Sequence, residues 1–148
     1  METNKRVERL NEEGTKQLSN FMAANAAALK GRKRDFMKEI TIQNNKYSTS
    51  LKKLDLSCTE LTDSDIDSLK YMVNLTWLDL YHNKITDITP LKGLTKLTYL
   101  CLSSNNITDI TSLKGLTNLT YLDLGYNDVT DDGIKALQLA LPSCNIYS

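Results

Sequence analysis

Residues 97–124 read LTYLCLSSNNITDITSLKGLTNLTYLDL, and the phrase L-T-Y-L-x-L both opens and closes the stretch. Within each copy the leucines alternate with other residues, as in a strand that buries one face. The two copies start 22 residues apart, at Leu97 and Leu119. A chain of 148 residues that says one thing twice is a candidate for an array of small stacked units.

Working outward, the pattern L-x-x-L-x-L-x-x-N-x-L recurs four times, with Ile or Val allowed last. The copies are Leu51, Leu54, Leu56, Thr59, Leu61; Leu75, Leu78, Leu80, Asn83, Ile85; Leu97, Leu100, Leu102, Asn105, Ile107; and Leu119, Leu122, Leu124, Asn127, Val129. A truncated fifth follows at Leu141, Cys144 and Ile146, and successive starts are spaced 24, 22, 22 and 22 residues. With "NKITDITPLKGLTKL" and "NNITDITSLKGLTNL", this pattern resembles the leucine-rich repeat, in the short 22-residue form of bacterial internalins and SDS22-like phosphatase regulators. The resemblance covers residues 51 to 146. It implies an α/β fold: a solenoid with a parallel sheet on its concave face and short helical or 3₁₀ segments on its convex face. It defines a scaffold rather than an activity.

The residues support that picture on their own. One coil cannot enclose a core, but stacked coils bury a continuous column of leucines. Asn83, Asn105 and Asn127 sit at the corners and are expected to point inward, where an amide can serve backbone groups left unpaired by the turn. Thr59 takes that place in the first copy. Each corner is followed by Thr-Asp (62–63, 86–87, 108–109, 130–131), suited to capping a convex turn. One carboxylate per coil is too few for a calcium ladder. "DSDIDSLKYMVNL" and "DDGIKALQLAL" read as α-turns, the latter with Ile134, Leu137 and Leu141 on one face. The two Lys-Gly copies between them read as tighter 3₁₀ turns.

Between the buried leucines, other side chains form columns across the coils: Lys53, Trp77, Tyr99, Tyr121; Asp55, Asp79, Cys101, Asp123; Ser57, Tyr81, Ser103, Gly125; and Cys58, His82, Ser104, Tyr126. Their alternation places them outward from the sheet. The leucine positions hardly change between copies, while these do. Trp77, Tyr81, Tyr99, Tyr121 and Tyr126 are amphipathic rings of the kind enriched where proteins bind one another. Asp79 and Asp123, with Asp55, favour a basic partner segment. Trp77, Asp79, Tyr81, His82, Tyr99, Tyr121, Asp123 and Tyr126 are therefore the candidate partner-binding residues. A plainer reading is that the rings pack along the sheet and stabilise it; the two are compatible. In internalins and SDS22-like proteins the concave sheet holds the partner, and the resemblance implies the same here.

The ends differ from the repeats. Residues 1–50 hold 10 Lys/Arg and 6 Asp/Glu, net +4, while residues 51–148 hold 8 and 12, net −4. Residues 1–46 are read as an N-terminal helical cap and 47–148 as the repeats. Helices are expected over about 5–30 and 32–39, with Leu18, Met22, Leu29, Phe36 and Ile40 on one side. Self-association or docking through this segment is the alternative to capping. "ITIQNNKY" fits the strand phrase through Ile40, Ile42, Asn45 and Tyr47 and reads as a capping strand, the phrase opening at residue 37, only 14 residues before Leu51. The basic run "LKGRKRDFMK" reads as a solvated helix face rather than an RNA patch, since its one aromatic, Phe36, is assigned to packing in the cap and no series of rings interleaves the cations to stack on bases. Cys144, standing where a leucine should, reads as a small buried hydrophobe.

Several functions find no support. Overall neutrality, 18 basic against 18 acidic residues, argues against general nucleic-acid binding. No run approaches a membrane span or signal peptide, so a cytoplasmic chain with reduced thiols is expected. Three sequons, at Asn74, Asn106 and Asn118, recur only because the repeat does. There is no phosphate loop, no zinc cluster and no cofactor motif. The single histidine, His82, could pair with Cys58 or Asp79, but an open sheet offers no oxyanion hole. The reading is thus a non-catalytic, monomeric protein-interaction module. Its alternative is a regulatory or effector-type factor acting on a cellular enzyme through the N-terminal basic helices.

Overall fold

The computed structural model describes residues 38–148. The helices expected over 5–30 and 32–39, with Leu18, Met22, Leu29 and Phe36, lie outside the described residues, apart from the last two positions of the second.

The leucine alternation produces five short strands: β3 (Lys53–Asp55), β4 (Trp77–Asp79), β5 (Tyr99–Cys101), β6 (Tyr121–Asp123) and β7 (Asn145–Tyr147). They form one parallel sheet in chain order. Its register aligns Leu54, Leu78, Leu100, Leu122 and Ile146 in a single row. Each strand is three residues long because the next three positions already turn the corner. The truncated fifth copy adds a full strand to the sheet, and Cys144 is buried as expected of a leucine substitute.

The core is a column built coil by coil. In the second coil Leu75, Leu78, Leu80, Ile85, Ile88, Leu91 and Leu94 are all within 1% of complete burial. The third coil repeats the arrangement with Leu97, Leu100, Leu102, Ile107, Leu113 and Leu116 fully buried and Ile110 at 4%. Each such side chain contributes about 1.5–3 kcal/mol, so burial between neighbouring coils dominates the stability.

The convex side varies as the sequence suggested. The Lys-Gly copies form 3₁₀ turns at Thr89–Gly93 and Thr111–Gly115, with Pro90 in the first turn where its missing N–H costs nothing. Residues 131–140 form helix α2 (Asp131–Ala140), and Thr130 caps it by accepting the Gly133 N–H. The other expected α segment is only one turn, α1 (Asp63–Ile66), and tightens at once into a 3₁₀ turn, Asp67–Tyr71. A Thr62–Asp65 capping box starts α1.

The expected capping strand is in fact a hairpin, β1 (Glu39–Ile42) against β2 (Asn45–Ser48). Gln43 and Asn44 both take positive φ, 45° and 68°, the geometry of a two-residue type I′ turn. Ile40 and Ile42 point into the core and close its first coil. Residues Lys38–Ser148 make up one compact unit, and the hairpin spans position 47.

Candidate functional site

The corner is the device that builds the sheet face. Asn105 Nδ2 donates to the carbonyls of Leu80 and Leu102, both at 2.9 Å, and its Oδ1 accepts the Ile85 N–H at 3.1 Å. Asn83 repeats this with Leu56, Leu80 and the Leu61 N–H, and Asn127 with Leu102, Leu124 and the Ile107 N–H. Each asparagine thus ties its own coil to the preceding one. Thr59, with no amide, only returns its hydroxyl to Leu56 O at 2.7 Å and leans on Asn83 Oδ1.

The residue before each corner position is left-handed: Cys58, His82, Ser104 and Tyr126 have φ of 52–56°. None is glycine, so each carries strain of about 1–2 kcal/mol. Hydrogen bonds along the stack hold three of them in place. Cys58, His82 and Ser104 donate their N–H to Tyr81 O, Ser103 O and Gly125 O at 2.8–3.0 Å. Nothing in the sequence pattern announced this geometry, because glycine is its usual sign. A second unassigned feature is a hydroxyl row: Thr76, Thr98 and Thr120 donate to the carbonyls of Lys52, Thr76 and Thr98 at 3.0–3.1 Å.

On the sheet face the first column is a continuous stack. Trp77 lies on Tyr99 (5.0 Å between centroids, 12° between planes) and Tyr99 on Tyr121 (4.6 Å, 5°). Tyr147 leans on Tyr121 at 5.1 Å. Trp77, Tyr99 and Tyr121 are half-buried. Burial, with the Cys101 thiol and the Asp79 carboxylate close by, pushes the Tyr99 phenol up to about 12. Tyr81 and His82 form a separate exposed pair, 5.7 Å apart, and Tyr126 stands alone at 89% exposure. Among the described residues no hydrogen bond joins His82 to Cys58 or Asp79, and no group of three potential metal ligands gathers.

The aspartate column has a structural duty that the sequence reading did not assign. Asp55, Asp79 and Asp123 each use Oδ1 to accept the N–H two residues on, from Ser57, Tyr81 and Gly125, at 2.8–2.9 Å. Bonds from the Ser57 amide and hydroxyl hold the Asp55 carboxyl below the usual range. Cys101, expected to point outward in this column, is 6% exposed, as is Ser103 beside it. Both lie on the sheet side but are small, so their taller neighbours cover them. Burial pushes the Cys101 thiol up.

Stacked coils with a parallel strand, an inward asparagine corner and a short convex segment define a solenoid of repeats. Residues 73–115 and 95–137 match a two-copy leucine-rich-repeat model, and residues 49–91 a second leucine-rich-repeat model. The chain belongs to the leucine-rich repeat proteins. Among solved structures it is similar to internalin C2 of Listeria monocytogenes, with 38% identity over 66% of this chain and a TM-score of 0.59. It is also similar to internalin F of the same organism, with 31% identity over 70% of the chain and a TM-score of 0.61. The functional domain of the Listeria internalin J, which includes a cysteine ladder, is 28% identical over 70% of the chain, with a TM-score of 0.58. The chain spans 41%, 31% and 22% of these three, respectively. Cys58, Cys101 and Cys144 occupy three different positions of the repeat, and all are free thiols. No curated protein matches.

Proposed function

We propose that this protein is an interaction module that binds a partner protein on the sheet face, without chemistry of its own. The observation that carries the reading is where large rings are left in water. Tyr81, Tyr126 and Tyr147 are exposed by 42%, 89% and 52%, all on the sheet side or its corner. Stacked aromatics behind them give a rigid floor, so little side-chain entropy is lost on binding. Leucine-rich repeats as a family serve such roles, which supports the same conclusion.

The test compares wild type with a Tyr81→Ala/Tyr126→Ala variant in affinity capture from the native source. Neither ring supports the aromatic stack, so the variant keeps its fold, checked by thermal unfolding. Proteins retained by wild type and by a convex Lys92→Ala/Lys114→Ala control, but lost from the tyrosine variant, support the reading. Equal retention by all three sinks it.

A further inference from the structure

The two edges of the parallel sheet are finished differently. β3 carries Lys53 and Asp55, and the hairpin β1–β2 closes the first coil behind it. Charges of that kind guard a sheet edge against pairing. β7 has no such guard: residues 136–148, which hold the end of helix α2, the turn after it and the whole of β7, contain no charged side chain. The buried row is also left incomplete there. Leu78, Leu100 and Leu122 are fully buried, whereas Ile146, next in the row, is half-buried. Hydrogen bonds show which backbone groups of β7 remain open. On its inner side the Asn145 N–H goes to Thr120 O at 3.0 Å, and Tyr147 O accepts the Leu124 N–H at 2.7 Å. Alternate residues of a strand present their backbone groups to opposite sides, so Ile146 and the Cys144 carbonyl face outward. Cys144 O stands where Thr98 O stands two coils earlier, and Thr98 O accepts the N–H groups of Thr120 and Tyr121 from the next coil. In place of such donors Cys144 O accepts Gln138 Nε2 at 3.2 Å, an amide that also bonds Leu141 O. The anchor for a further parallel strand is thus occupied from within the coil. β7 is the last strand of the sheet, so among the described residues nothing pairs with the N–H and C=O of Ile146.

We infer that β7 pairs antiparallel with β7 of a second copy of this chain, about a twofold axis between the two Ile146 residues. A residue that offers its donor and its acceptor on the same side is what an antiparallel hydrogen-bonded pair exchanges, each Ile146 giving its N–H to the other's carbonyl. A parallel mate, whether a further coil or β3 of another copy in a head-to-tail array, needs Cys144 O instead. The lack of charge makes the edge its own complement: two identical charged edges repel, and two neutral ones do not. Asn145 of each copy then faces Tyr147 of the other on the sheet face, and the two Ile146 side chains meet in the row that the leucines begin. This contact goes beyond the partner surface proposed above and leaves Tyr81 and Tyr126 in water.

Sedimentation equilibrium of the full chain over a concentration series is expected to show monomer and dimer and no larger species. Asn145→Lys/Tyr147→Lys sets like charges opposite each other across the axis, and Asn145→Glu/Tyr147→Glu does the same with the other sign. Both side chains are exposed, so the fold is retained, which thermal unfolding checks. Each variant alone is expected to dimerise about tenfold more weakly than wild type, and an equal mixture of the two to recover at least the wild-type affinity. Leu139→Lys removes a leucine that is 85% exposed, about 200° around α2 from the buried Leu137, and is expected to change dimerisation less than about twofold. A wild-type chain that stays monomeric, growth beyond the dimer, unaltered dimers in both charged variants, no recovery on mixing, or an equal loss in Leu139→Lys overturns the inference.

Discussion

Asn83 Oδ1 accepts the Leu61 N–H at 2.8 Å across 22 residues of sequence, and with that one bond joins two coils. The same side chain donates to Leu56 O and Leu80 O, both at 3.0 Å, so it serves both coils at once. This relation, repeated at Asn105 and Asn127, converts a row of leucines into a register.

Asn105 is the most fully enclosed of the three, at 7% exposure, and its replacement leaves backbone groups of two coils unsatisfied. Asn105→Ala is expected to cost about 2–3 kcal/mol. Asn127→Ala, at a half-buried site, is expected to cost less. Urea denaturation of both variants checks the order.

Tyr99 is sandwiched between two rings, whereas Tyr126 touches none. Tyr99→Ala is expected to lose two ring contacts, about 1–3 kcal/mol beyond the lost burial, while Tyr126→Ala changes stability by less than about 0.5 kcal/mol. Denaturation midpoints distinguish the two. For the same reason Trp77→Ala and Tyr99→Ala confound folding with binding, and exposed tyrosines make the cleaner functional test.

The left-handed corner at Tyr126 tolerates a straight side chain but not a branched one. Tyr126→Val is expected to destabilise by about 1–2 kcal/mol, and Tyr126→Gly to be close to neutral, relief of strain offsetting a freer unfolded chain. Thermal unfolding of the pair checks this; equal midpoints would falsify the role of φ.

Acid should weaken the fold. The Thr62 amide and hydroxyl hold the Asp65 carboxyl below its ordinary value of 3.8, and Ser57 does the same for Asp55. Burial works against Asp63, but bonds from Thr86 and Asp87 outweigh it and lower its carboxyl too. Groups lowered in the folded state stabilise it above the unfolded value and lose that contribution as pH falls through the folded one. Unfolding midpoints are therefore expected to be flat above about pH 5 and to drop below about pH 4. An Asp63→Asn/Asp65→Asn variant should show a shallower drop.

The repeat, its spacing, the buried leucines and the inward asparagines were legible in the chain itself. A buried aliphatic or a doubly bonded amide admits few substitutes, so the same residue types return every coil. The convex segments were legible in kind, through the Thr-Asp caps and the Lys-Gly turns. Tertiary structure alone decided the rest. Whether Cys101 is open or covered depends on Tyr99, Asp79 and Asp123 beside it, and two of those belong to other coils. That the aspartates spend one oxygen on their own turns, that four non-glycine corners are left-handed, and that residues 39–48 close the first coil as a hairpin are likewise matters of neighbours. Sequence fixes what a residue prefers; in a stack, the adjacent coil decides what it faces.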